Sequence, residues 1–393
     1  MVRLLLGFIL AFITIYLSVL FLMVYMEEAD KMEDPKPKRY PSIDIIVPAF
    51  NEEKNIADAI NSLLSLRYPG KMRIIVVDDG STDNTLSVAR SFESKGVVVV
   101  SKPNGGKASA INEGLKRADS ELVAVLDADS VVQPDALQFM VGYFEDERVM
   151  AVTPMMKVWK ARTPMQALQR AEYILNSFTK KILEQFDSIT VTPGPFSVYR
   201  RKLFDELGGF DEGNITEDQE IALRIQSANY RIASSYGAVV YTDAPEGLWD
   251  LFKQRKRWYR GFLENLWKYR RLMQPSYGDL GVFILPSTLV MILVGIVALF
   301  YSVYNAFSFL FTFHINPAFI FLGPSEFVLL FTALVSFALV LLAARKLNEA
   351  NPVHLFISVV LMSPLLAFFW LVILVGTLKD KLLGVNLSWK GEG

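Results

Sequence analysis

The chain has no cysteine among its 393 residues, which excludes disulfides, thiolate metal sites and cysteine nucleophiles and leaves the redox compartment open. Histidine is nearly as scarce. His314 and His354 are the only two, and both lie in the apolar C-terminal part. A histidine zinc site or a Ser-His-Asp triad in the polar middle is therefore ruled out, and acid-base chemistry there must rest on carboxylates, lysine or tyrosine. No Gly-x-Gly-x-x-Gly follows the first apolar run of that middle and no Gly-x-x-x-x-Gly-Lys-Ser/Thr occurs at all, which argues against a dinucleotide dehydrogenase and a P-loop NTPase. Net charge is almost absent too, at -1, and points to no nucleic-acid partner.

What is plentiful is apolar. The hydrophobic fraction is 52% and the mean hydropathy +0.30, with the excess at the ends. Residues 4–26 carry no charge and are long enough to cross a bilayer. No small-residue cleavage site follows, so this reads as an uncleaved anchor. Three further candidate spans are 282–303, 327–344 and 355–378. Pro286 and Pro317 mark places where a span can break into an interfacial or re-entrant segment. Lys31, Lys36, Lys38 and Arg39 after the first span, with Lys268, Arg270 and Arg271 before the later ones, place the middle in the cytosol of a multi-pass plasma-membrane protein by the positive-inside rule. The expected division is an anchor (1–27), a Pro-rich linker (28–41), a cytosolic domain (42–245), amphipathic interface helices (246–278), about three spans (279–380) and a tail (381–393).

The cytosolic part alternates short β-branched runs with amphipathic stretches. Ile43 to Val47, Arg73 to Val77, Val97 to Val100 and Val123 to Leu126 read as strands, with helices between them, which predicts an α/β domain around a mainly parallel sheet. Ligands of such sheets bind beyond the carboxyl ends of the strands. Asn51 and Glu52, Asp78 and Asp79, Lys107, and Asp127 and Asp129 all occupy that position. Each residue also has an ordinary structural use: Asp78-Asp79-Gly80-Ser81 suits a turn and helix cap, Lys107 a solvated surface, and Asp127-Ala128-Asp129 a loop of solvated acids. Brought together, the acids instead suit a hard cation shared with substrate phosphates.

Further on, Thr163-Pro164 predicts the start of a helix running to about Phe186, with Met165, Leu168, Leu175, Phe178 and Ile182 on a packing face. Thr216 is a candidate cap for the helix that carries Glu217 and Asp218 in its first turn, where the dipole alone favours acids. Between 248 and 273 lies a basic stretch with large aromatics, as expected of an interfacial helix. Gln254, Arg257 and Trp258 share one face of it by their spacing.

The series Val47-Pro48-Ala49-Phe50-Asn51-Glu52-Glu53, Val77-Asp78-Asp79-Gly80-Ser81-Thr82-Asp83, Asp127-Ala128-Asp129, Thr216-Glu217-Asp218 and Gln254-Arg255-Lys256-Arg257-Trp258 resembles, in order and spacing, the family 2 glycosyltransferases of GT-A fold. Within them it resembles the membrane-embedded polysaccharide synthases related to cellulose, chitin and poly-N-acetylglucosamine synthases. The resemblance implies a Rossmann-like GT-A domain that transfers a sugar, with inversion, from UDP-N-acetylglucosamine or UDP-glucose onto a growing β-linked polysaccharide. It implies Pro48, Phe50, Glu52 and Asp79 around the base and ribose, Asp127 near the nucleotide, and Asp129 as ligand of Mg²⁺ or Mn²⁺. Asp218 would be the general base with Glu217 beside it, and Gln254, Arg257 and Trp258 would hold the diphosphate and the acceptor end. Lys107 and Arg200 are further candidates for phosphate or acceptor contacts. A non-processive transferase acting on a lipid-linked acceptor is the alternative enzyme. An inactive nucleotide-sugar sensor or scaffold is the alternative of another kind, and the expected partners besides donor and acceptor are membrane lipid and further copies of the chain.

Overall fold

The computed structural model describes residues 2–28, 32–315, 324–347 and 351–382. After an N-terminal helix α1 (Val2–Glu28), the β-branched run forms β1 (Ile43–Ala49), buried at every position as a strand covered on both faces must be. The pattern repeats through α2 (Ile56–Leu64), β2 (Met72–Asp78), α3 (Thr85–Arg90), β3 (Val98–Ser101), α4 (Lys107–Leu115) and β4 (Leu122–Val125). The second half contains β5 (Ser130–Val132), α5 (Ala136–Val141), β6 (Val149–Val158), α6 (Pro164–Gln185), β7 (Ser197–Arg200), α7 (Arg201–Leu207), α8 (Glu217–Ser227) and β8 (Arg231–Thr242). Four long helices follow among the described residues: α9 (Leu248–Lys268), α10 (Leu285–Ile315), α11 (Pro324–Lys346) and α12 (Pro352–Leu382).

The strands form one sheet in the order β3-β2-β1-β4-β7-β6-β8-β5. The first four run parallel, with Ala49 level with Asp78 and Asp78 level with Ser101. The loops carrying Asn51, Asp79 and Asp127 therefore leave the same edge. Beyond β4 the sheet is mixed: β7 is antiparallel to β4 and β6, β8 is parallel to β6, and β5 is antiparallel to β8. Alternate residues of each strand feed opposite cores. Ile45, Val47 and Ala124 pack with Ile60, Leu63 and Met140 on one face, while Ile46, Val123 and Val125 pack with Ile111, Ile221 and Ile225 on the other. Burial of one such side chain stabilises by about 1.5–3 kcal/mol.

Thr163 caps α6 as its sequence suggests, in a reciprocal capping box with Gln166 and with Pro164 at the first turn. This helix joins two environments. Ile174 and Phe178 pack with Val340 and Ala343 of α11 and with Phe21 and Val24 of α1, while Met165 and Leu168 meet Met362 and Phe369 of α12. Leu251 and Tyr259 of α9 rest on α12, and the Tyr259 ring stacks on Trp370 at 3.9 Å. The linker before β1 is docked: Asp34 accepts from Tyr143 Oη at 2.7 Å and from the Gly237 amide at 2.6 Å.

Two of the described helical segments are long and apolar enough to cross a membrane, Leu280–Tyr304 and Pro352–Lys379, with mean hydropathies of 2.7 and 2.5. Among the described residues α1 carries the apolar stretch Phe12–Glu27, and the expected span at 327–344 lies within α11. The expected break near Pro286 is a single π-helical turn, Leu280–Ile284, that runs without interruption into α10, so the N–H missing at Pro286 falls just after a local widening of the helix. Pro317 and the tail from 383 onward lie outside the described residues.

Candidate functional site

The strand-end loops are laced together before any ligand is considered. Asn51, at φ 55°, accepts from the Thr82 amide at 2.9 Å and donates its own amide to Ser81 Oγ at 3.0 Å. Gly80 has φ +75°, and a Cβ there would lie 2.8 Å from the Asn104 amide nitrogen, so the turn needs glycine. Pro48 lies two residues beyond the ladder between β1 and β4, which closes at Ile46, so its missing N–H costs that ladder nothing. Phe50 is exposed at the end of β1, and Glu52 is half-buried behind it.

Asp79 is buried and takes the Gly105 and Gly106 amides at 3.0 and 2.7 Å and Lys102 Nζ at 2.6 Å. As placed, its carboxylate holds the glycine turn that opens α4. Lys107 is the first residue of that helix. Its Nζ lies 2.6 Å from Asp127 Oδ1 and 3.2 Å from Glu217 Oε1, which ties the end of β4 to the start of α8. Burial lowers the Lys107 pKa, but Asp127, Glu217 and Asp218 outweigh it and raise it overall, so the side chain stays an ammonium.

Asp218 occupies the first turn of α8, whose carbonyl is pinned by the Thr192 amide at 3.2 Å and Thr192 Oγ1 at 2.9 Å. Its Oδ1 accepts from the Gln219 amide at 2.8 Å. Burial and then the neighbouring Glu217 push its carboxyl up to about 6, against the pull of Lys107 and Arg257. Thr216 does not cap this helix through its side chain. Its hydroxyl accepts instead from Asn265 Nδ2 at 3.0 Å, because α9 crosses so closely at Gly261 that a Cβ there would lie 2.5 Å from Thr216 Cγ2.

A cavity of about 520 Å³ lies between these elements. It brings together Lys107, Asp127, Asp129, Glu217 and Asp218 with Gln254, Arg257 and Trp258. Pro48, Phe50, Glu52 and Asp79 are not in its wall, although Glu52 is near enough for Asp127 to affect its titration. Arg200 does not reach the cavity. Its guanidinium is spent on the carbonyls of Phe144, Asp146 and Val149, since a long side chain at the end of β7 finds that turn before it finds solvent.

Asp129 is pushed up to about 7, first by burial and then by Asp127 and Glu52, against a hydrogen bond from Ser130. Asp127 Oδ1 is buried without a hydrogen bond, the Lys107 ammonium being close but poorly aligned. Two crowded carboxylates, one with an oxygen left over, fit a hard divalent cation. No third acid or histidine joins them among the described residues, so phosphate oxygens would have to complete the shell. Gly194 gives this pair its space, since a Cβ there would lie 2.5 Å from Asp127 Oδ2.

Sequence reasoning missed the wall that α6 contributes. Tyr173, Asn176 and Lys180 line the cavity, a narrow polar stripe at helical spacing inside a helix whose apolar positions suggested packing alone. It also missed how Arg255 differs from its neighbours. Arg255 is almost fully buried in the cavity wall, pairs with Glu172 at 2.8 Å, and lies 4.2 Å over the Trp258 ring.

The family described as glycosyl transferase family 2 matches residues 44–208. The chain is 32% identical over 228 residues to the poly-beta-1,6-N-acetyl-D-glucosamine synthase of Staphylococcus epidermidis, covering 57% of this chain and 55% of that protein. It is 30% identical over 251 residues to a probable glycosyltransferase of Bacillus subtilis, covering 60% of each. The chain thus spans a little over half the length of these curated relatives. A mannosyltransferase from Pyrobaculum calidifontis, solved in complex with GDP-Man and Mn²⁺, shares the fold with a TM-score of 0.57 at 21% identity, over 89% of this chain and 98% of its own. Residues 44–208 thus match glycosyl transferase family 2, and the fold is that of a GT-A glycosyltransferase, with the parallel strand ends, the acid pair and the acidic start of α8 in one cavity.

Proposed function

We propose that the chain is a membrane-bound glycosyltransferase that moves a sugar from a UDP-sugar, with inversion, onto a growing β-linked polysaccharide. The observation that carries this reading is the convergence of two carboxylate groups on one cavity. Asp127 and Asp129 crowd the strand-end side beside Lys107, and Asp218, raised to about 6, stands at the start of α8. UDP-N-acetylglucosamine is the first donor to try, given the relative that synthesises its polymer, and UDP-glucose the second.

In this reading an acceptor hydroxyl oxygen attacks the anomeric carbon while the bond from that carbon to the diphosphate breaks. UDP leaves with the electron pair, and the hydroxyl proton passes to Asp218, a transfer worth about 10²- to 10⁴-fold. Asp129, with Asp127 beside it, would hold Mg²⁺ or Mn²⁺, which supplies charge stabilisation for the diphosphate. Lys107 holds Asp127 and Glu217 in register, and the exposed guanidinium of Arg257 adds positive charge at the rim. Pro48, Phe50 and Glu52 form the neighbouring edge for the base and ribose, while Gln254 and Trp258 face the acceptor. Basic residues beside the apolar helices support a cytosolic catalytic domain on the plasma membrane.

The test offers the purified protein in detergent a panel of UDP-sugars with Mg²⁺ or Mn²⁺ and measures UDP release and product mass. A ladder of lengthening glycans is expected. A single sugar on a lipid-linked acceptor replaces the processive reading with the non-processive one, and no UDP release from any donor overturns both.

A further inference from the structure

Two cations of the cavity, Lys180 and Arg257, have no partner among the described residues, and of these Arg257 is exposed at the rim while Lys180 is half-buried. Lys107 is engaged by Asp127 and Glu217, and Arg255 by Glu172. Lys180 makes no ion pair or hydrogen bond with the described residues, although it is half-buried in the cavity wall. Burial without a counter-ion is costly for an ammonium. Here it lowers the lysine to about 8, with Asp218 pulling the other way. A cation kept in that state inside a cavity is a group left for a ligand.

Its place in the fold says which ligand. Lys180 projects from α6, on the stripe that also carries Tyr173 and Asn176, whereas Lys107, Asp127 and Asp129 come from the strand-end side. Asp218 is near enough to Lys180 to affect its titration. Inverting displacement requires the attacking hydroxyl to approach opposite the departing diphosphate. With the diphosphate beside Asp127 and Asp129 and the base at Asp218, the nucleophile belongs in the part of the cavity where Asp218 and Lys180 lie near each other.

We propose that Lys180 binds the acceptor: its ammonium donates to an oxygen of the terminal acceptor sugar and holds the attacking hydroxyl against Asp218. Asn176, one turn earlier on α6, adds an amide to that wall. The inference rests on the glycosyl-transfer reading and adds to it the residue that recognises the acceptor.

The experiment measures initial UDP release from UDP-N-acetylglucosamine with Mg²⁺ and a varied concentration of β-1,6-linked N-acetylglucosamine pentasaccharide, and UDP affinity by calorimetry on the same preparations. Lys180→Met is expected to raise the acceptor KM by at least about tenfold, the loss of one charged hydrogen bond. UDP affinity stays within about twofold, which also shows that the variant is folded, and Lys180→Arg recovers part of the loss because it restores the donor. Should Lys180→Met fail to bind UDP, Lys180→Gln carries the same test. An unmoved acceptor KM, or a loss that falls on UDP affinity in both variants, overturns the assignment alone. Absence of transfer by the unaltered protein overturns the glycosyl-transfer reading and the assignment with it.

Discussion

Asp218 can accept a proton only when ionised, and burial and Glu217 hold its carboxyl up to about 6. Turnover should therefore rise with pH through that value and be lost below it. Glu217→Gln removes a like charge and should move the acid limb of the kcat profile to lower pH. A limb that stays in place, or moves up, excludes Asp218 as the group titrating there. Gly194 gives a second handle. Gly194→Ala forces a methyl against the Lys107 and Asp127 side-chain ends, and a displacement near 1 Å at a reacting centre can cost roughly 10² in rate. Turnover should fall at least about tenfold with the thermal midpoint little changed, and a fully active variant would show that the pair can shift freely. Lys107, Asp127 and Asp218 were legible in the sequence because each lies directly at a strand end or in a helix's first turn, where backbone position fixes where the side chain points. Arg200 and Asp79 were not, since their outcomes depend on which carbonyls and amides the neighbouring turns offer.

At the scale of elements, the placement of α9 decides whether Gln254 and Trp258 face the cavity. Glu172 of α6 and Arg255 of α9 clamp it through a pair in which Arg255 is almost fully buried, with its Nε unpaired. Glu172→Met leaves that charge without its partner, which typically costs about 3–5 kcal/mol. Replacing both residues by methionine should restore most of the stability, read as the thermal midpoint in detergent. A single substitution with no effect would remove the clamp. The start of α6 was legible because Thr163, Pro164 and Gln166 form a local capping pattern. Its polar stripe was hidden because the cavity-lining positions are interleaved with the apolar ones that pack on α1, α11 and α12. Thr216 looked like a cap for a local reason and serves α9 for a tertiary one.

In the whole molecule, the parallel half of the sheet was readable from the repeating strand-helix pattern. The mixed half was not: β6 and β8 pair in parallel across dozens of intervening residues, and β7 enters between β4 and β6 against their direction. The two halves meet at Asp127 and Asp129, so the molecule joins a crowded acid pair to a wall built on apolar helices. Removal of divalent cations with excess EDTA should stop sugar transfer and restoration of Mg²⁺ should recover it, while full turnover in EDTA would contradict Asp129 as a metal ligand. Asp218→Asn is the most direct test of the division between leaving-group side and base. Measured on one preparation, it should bind UDP as the unaltered protein does and transfer sugar at least about 10²-fold more slowly; near-normal transfer by that variant would contradict the role of Asp218 as the base.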